Sequence, residues 1–94
     1  MITDIGGVKV AAICDEFGTP VYVYDAAIIE KQYQRLYNAF SASNVKIKYA
    51  CKALTNQSII KFISSLGAGI DAVSINEVKL AIKAGVAPTE IFYT

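Results

Sequence analysis

The sequence predicts an α/β domain built on a parallel sheet. Three observations lead there. From residue 45 onward the apolar pattern runs strand, helix, strand, helix, strand, and the turns between these segments are short and marked by Gly67 and Gly85. Repeated units in that order demand parallel strands joined by right-handed crossovers. Periodicity leaves open whether the sheet closes into a barrel or stays open, because both forms use the same unit.

Each element has a local reason. Val8, Val10, Ala11, Ala12, Ile13 and Cys14 predict a short helix over residues 8–17, stopped by Gly18, Thr19 and Pro20. Residues 21–24 (Val-Tyr-Val-Tyr) are β-branched and aromatic and predict a strand, with Asp25 capping the helix after it. Over residues 26–40, Ile28, Ile29, Tyr33, Leu36, Tyr37 and Phe40 recur at helical spacing with Glu30, Lys31, Gln34 and Arg35 between them, the pattern of an amphipathic helix. After a polar turn, residues 45–53 alternate as a strand. Asn56 then caps a helix through about Leu66, with Ile59, Ile60, Phe62, Ile63 and Leu66 on its apolar face and Gly67 ending it. Residues 69–74 predict a second strand of the repeat. Ser74 or Asn76 opens a helix through Ala84 with Val78, Leu80, Ala81 and Ile82 inward, and Ile91, Phe92 and Tyr93 begin a third strand. The strand over residues 21–24 precedes the repeating units and fits a different structural layer.

Composition bounds the function. With 54% hydrophobic and 18% charged residues, the chain is rich in core-forming side chains and is not of the disordered class. Its 94 residues fall well short of the roughly 250 of a complete eight-stranded α/β barrel, so a piece of something larger is expected, with apolar surface that further protein covers. Nine basic against eight acidic side chains, with no long run of either sign, give no steering toward nucleic acid or anionic lipid. No histidine is present and Cys14 and Cys51 lack metal-ligand spacing, so no metal site is expected. Neither a signal peptide nor an apolar stretch of ~20 residues is visible. The expectation is a soluble cytoplasmic protein with reduced thiols.

Lys52 is the residue to explain. It stands near the carboxyl end of the predicted strand over residues 45–53, the end at which α/β folds bind ligands. Desolvation of an amine there favours its neutral form, the nucleophile that makes a Schiff base with a carbonyl compound. A lysine at a strand end also simply reaches solvent in many proteins, so position alone leaves both readings open. Strand alternation puts Ala50 and Lys52 on one face and Tyr49 and Cys51 on the other, which makes Cys51 a packing residue. Asp71 lies in an apolar strand and needs a partner or an end position. Glu77 sits in the first turn of the next helix, where the macrodipole favours a negative charge and a capping box with Ser74 is open to it.

Tyr49, Ala50, Cys51, Lys52 and Ala53, followed by Thr55 and Asn56, resemble the Tyr-Ala-Val-Lys-Ala-Asn signature of the diaminopimelate and ornithine decarboxylase group, with Leu54 standing where that signature has Asn. The segment over residues 17–25 resembles the first strand of diaminopimelate decarboxylases. Residues 67–74 with Glu77 resemble the family's next block, and Ala84, Gly85, Val86, Pro88 and Ile91 fit the stretch after that block. The resemblance implies a partial (β/α)8 barrel of the alanine-racemase type that binds pyridoxal 5'-phosphate. It assigns residues 1–25 to the amino-terminal helix and strand of a separate β domain and residues 26–94 to the first units of the barrel. Lys52 would be the catalytic residue holding the cofactor, with Ala50, Asp71 and Glu77 as cofactor neighbours. The implied activity is decarboxylation of meso-diaminopimelate to L-lysine and carbon dioxide by a homodimer. Ornithine, arginine or carboxynorspermidine are the alternative substrates, and a cofactor-binding piece without turnover is the alternative of another class. The family's glycine-rich phosphate loop, its acid facing the pyridine nitrogen and its substrate-binding Cys-Glu segment come later than residue 94. The 94-residue chain alone is therefore expected not to turn over.

Overall fold

The computed structural model describes residues 2–94. Its first structure is a β-hairpin: β1 (Asp4–Ile5) pairs antiparallel with β2 (Val8–Lys9), Ile5 opposite Val8. The two-residue loop is Gly6 and Gly7, both at positive φ (59° and 82°), as a tight turn with matching twist requires. This corrects the expectation of a helix from residue 8. The Gly-Gly pair between Ile5 and Val8 is the signal that identifies the hairpin. Helix α1 (Val10–Phe17) comes next and ends at Gly18.

Residues 21–24 are the second departure. They belong to no strand, and none of the four is buried. Their side chains favour the pleated conformation, yet a strand exists only by pairing, and no described segment lies alongside to complete a ladder. Helix α2 (Ala26–Ala39) starts where expected, with Asp25 Oδ1 accepting from the Ala27 amide at 2.9 Å. Only Ile29 and Tyr33 on its apolar stripe are half-buried; Ile28, Leu36, Tyr37 and Phe40 are exposed. The helical period is correct, but most of the stripe is uncovered.

The repeating units hold the core. Strands β3 (Lys48–Ala50), β4 (Gly69–Ala72) and β5 (Ile91–Tyr93) form a parallel sheet in that order. Lys48 pairs with Gly69, Ala50 with Asp71, and Asp71 with Phe92. Helix α3 (Gln57–Ser65) is capped by the Asn56 side chain, which accepts from the Ser58 and Ile59 amides at 2.9 and 3.2 Å. Helix α4 (Ile75–Lys83) is capped by Ser74, whose Oγ accepts from the Glu77 amide at 3.2 Å. Ile60 of α3, Ile70 and Ala72 of β4, Ala81 of α4 and Cys51 are fully enclosed, with Tyr49, Val78, Leu80 and Ile91 packed against them. Ile82, expected inward, is half exposed. Since Ile70, Ala72 and Tyr49 face the helices, alternation turns Lys48, Ala50, Asp71 and Phe92 to the opposite face. Lys48 Nζ accordingly stands 6.0 Å above the Phe92 ring. At the amino end of the sheet Lys46 Nζ meets Glu90 Oε2 at 2.7 Å, and this ion pair holds the Glu90 carboxyl below the usual carboxylate range.

Candidate functional site at the carboxyl edge of the sheet

The strand expected over residues 45–53 pairs with its neighbour only over Lys48–Ala50. Cys51–Ala53 then coil into one turn of 3-10 helix. Lys52 is therefore on a turn beyond the strand end, and the face it was expected to share with Ala50 is not fixed by alternation. Cys51 is enclosed completely while Lys52 is exposed, so the packing role of Cys51 holds. The described residues do not supply the desolvation expected around Lys52.

Three contacts fix that turn. The Leu54 amide donates to the Cys51 carbonyl at 3.1 Å, and the Tyr49 hydroxyl donates to the Leu54 carbonyl at 2.8 Å, spanning the turn from the strand before it. The Cys51 thiol donates to Glu77 Oε1 at 3.1 Å, reaching across to the start of α4. Burial first, and the Glu77 carboxylate second, push the Cys51 thiol up to about 11, so it is a protonated donor at neutral pH. Burial also raises the Tyr49 phenol.

The two acids play different parts. Asp71, directly across the sheet from Ala50, accepts from the Thr94 hydroxyl at 2.5 Å. The lysine partner open to an acid in an apolar strand is not in contact with it; a hydroxyl and an end position satisfy it instead. Glu77 Oε1 accepts from the Val73 amide at 3.0 Å as well as from Cys51. The box with Ser74 is thus half-formed: Ser74 caps Glu77, but the carboxylate returns to Val73, one residue earlier than a reciprocal box requires. Neither Tyr49 nor Thr94 stands out in the sequence as a residue that holds the site together. The equal offset between neighbouring strands, which sets Thr94 one alternation beyond Phe92 and so on the face of Asp71, is the signal that finds the second.

Lys52, Ala50 and Asp71 consequently stand at one edge, where the carboxyl ends of parallel strands open to solvent. Among the described residues Lys52 forms no ion pair. A primary amine left unpaired, with the small Ala50 beside it and a carboxylate on the next strand, fits a carbonyl cofactor that needs room and a nucleophile. A separate cleft of about 800 Å³ lies at the amino terminus, bounded by the hairpin, α1 and residues 21–27, and contains none of these groups.

Fold and edge together define a parallel α/β domain with an exposed, unpaired lysine amine at its carboxyl edge. Comparison with known proteins supplies the family. The family model for the pyridoxal-binding domain of pyridoxal-dependent decarboxylases matches residues 26–94, and the chain belongs to that family. It is 46% identical to the diaminopimelate decarboxylase of Methanothermobacter thermautotrophicus over 92 residues, 96% of this chain and 22% of that protein. The crystal structure of AQ1208 from Aquifex aeolicus superposes with a TM-score of 0.89 at 40% identity, over 96% of this chain and 22% of that one. The lysine/ornithine decarboxylase of Vibrio vulnificus, solved with cadaverine, superposes with a TM-score of 0.83 at 30% identity, over 89% and 22%. The chain thus spans about a fifth of the length of these relatives. Its fold is part of the alanine-racemase-like domain that binds pyridoxal phosphate.

Proposed function

We propose that this chain carries the cofactor-holding lysine of a pyridoxal-phosphate-dependent decarboxylase that converts meso-diaminopimelate to L-lysine and carbon dioxide. The observation that carries the reading is the unpaired Lys52 amine on its turn beyond β3, within a chain of the pyridoxal-binding family. The bound cofactor supplies a carbonyl for covalent attachment and a conjugated ring that takes up the electron pair left when the carboxylate departs. Lys52 would be the attachment point, and its free amine would be a base and acid held at the strand edge. Ala50 leaves space above the strand end. Asp71, bonded to Thr94, supplies a carboxylate on the neighbouring strand, and Glu77 ties the turn to the Val73 backbone.

The choice of diaminopimelate over ornithine, arginine or carboxynorspermidine rests on the relatives and on the segment over residues 17–25. Residues 1–25 are read as belonging to a β domain and residues 26–94 as the first barrel units, a division that the start of the family match at residue 26 supports. On this reading the exposed, unpaired residues 21–24 join a ladder supplied by further protein. The full protein works as a cytoplasmic homodimer; the free thiols of Cys14 and Cys51 agree with a reducing compartment, and no described helix is long and apolar enough to cross a membrane.

The test is borohydride reduction after incubation with pyridoxal phosphate, with intact mass and peptide mapping of the product. One label at Lys52, absent from Lys52→Ala, is expected; even labelling over the other lysines would overturn the assignment. Rates of the full-length gene product on meso-diaminopimelate and ornithine then decide the substrate. The 94-residue chain by itself is expected to release no carbon dioxide.

A further inference from the structure

Tyr49, in the middle of β3, packs against the enclosed core, while its hydroxyl donates to the Leu54 carbonyl at 2.8 Å, on the far side of the turn that carries Lys52. The proposed chemistry gives that hydroxyl nothing to do. We propose that Tyr49 is a positioning residue: its hydroxyl closes residues 49–54 into a loop with Lys52 inside it and thereby sets where the Lys52 amine stands. The inference rests on Lys52 being the attachment point for the cofactor.

The geometry favours a strut over simple packing. Cys51–Ala53 make a single 3-10 turn, closed by the backbone bond from the Leu54 amide to the Cys51 carbonyl at 3.1 Å. A turn with so few backbone bonds opens locally unless something else holds it. The Tyr49 hydroxyl holds Leu54 by its other backbone group. Both polar groups of the Leu54 backbone are thus tied to residues that precede Lys52 in the chain, the amide to Cys51 and the carbonyl to Tyr49. The strut has a firm base, because Tyr49 pairs with Ile70 in the parallel ladder. Burial raises the Tyr49 phenol, so the hydroxyl keeps its proton and stays a donor at neutral pH. Its acceptor is a main-chain atom, so Leu54 in place of the signature's Asn leaves the bond intact, and Tyr49 is itself the tyrosine of that signature. Leu54 stands two residues before Asn56, the cap of α3, so the same bond also fixes the path from the turn into the helix. A phenylalanine would fill the same space but leave the Leu54 carbonyl without this donor.

The test separates the hydroxyl from the ring in the full-length gene product. Tyr49→Phe removes only the hydroxyl; Tyr49→Leu removes the aromatic packing as well. Apo protein is mixed with saturating pyridoxal phosphate, so that the rate of Schiff-base formation, followed by absorbance, reads attachment rather than binding. Borohydride trapping and peptide mapping locate the label, and thermal unfolding of each variant is measured alongside. The expected result is attachment at Lys52 slower on the order of tenfold in Tyr49→Phe, as suits a small displacement of a reacting group. The slowing in Tyr49→Leu should be no smaller, and its unfolding temperature lower. A wild-type rate in folded Tyr49→Phe overturns the strut while leaving Lys52 as the attachment point, whatever Tyr49→Leu does. A Tyr49→Phe protein that cannot be obtained folded overturns it too, because the hydroxyl would then serve folding itself. Wild-type protein labelled elsewhere than Lys52 overturns the attachment reading, and the strut with it.

Discussion

At the scale of single residues, the Cys51 thiol links stability to pH. Folding raises it from an ordinary 9.0 to about 11, burial being the larger cause and Glu77 the next. The native state thus holds the proton more tightly than the unfolded chain. Its contribution is complete below about pH 9 and is lost as pH rises through about 11. Urea midpoints should therefore fall between pH 9 and 11 in the wild type, and Cys51→Val should lack that part of the slope; parallel curves would contradict the assignment. Thiol reagents at pH 8 should modify the half-buried Cys14 first and reach Cys51 only on unfolding, since the reactive species is the thiolate.

Among the elements, the caps make separable contributions. Asn56 satisfies two amide donors at the start of α3, so Asn56→Ala should lower stability by about 1 kcal/mol, read from denaturant midpoints at constant m-value. Ser74→Ala, which removes the acceptor for the Glu77 amide, should cost a similar amount. These caps were legible in the sequence, as were α3, α4 and the three parallel strands, because polar caps, apolar stripes and terminal glycines are local signals. The hairpin was legible in Gly6 and Gly7 but overshadowed by the apolar run after it. Residues 21–24 carry the propensity of a strand but pair with no described segment, since the partner that completes a ladder is not encoded in the segment itself. At the site, Lys52, Ala50 and Asp71 emerged from strand order and family resemblance. The bond between Cys51 and Glu77, 26 residues apart, depends on how the turn folds back on α4, which no periodicity reports.

For the molecule as a whole, shape and burial agree. The radius of gyration is 15.4 Å, against roughly 12 Å for a compact chain of this length, and the extents are 42 × 34 × 18 Å. Helices α3 and α4 cover one face of the sheet, while Phe92 and Tyr93, about half exposed, are among the apolar side chains left to solvent. The 94-residue chain should therefore self-associate, with sedimentation velocity showing mass rising with concentration. Its small core makes Ile60→Ala severe: a loss of about 2–5 kcal/mol is comparable with the whole margin of a small domain, so the cooperative transition should be greatly weakened. The register also bears on how the chain reaches this state. Both parallel pairings join residues 21 positions apart, as Lys48 with Gly69 and Ile70 with Ile91. Each strand needs only the one before it, so the β3–β4 ladder of a nascent chain can close while β5 is still inside the ribosomal tunnel. The Lys52 turn and its tie to Glu77 can thus form during translation, before the third strand docks.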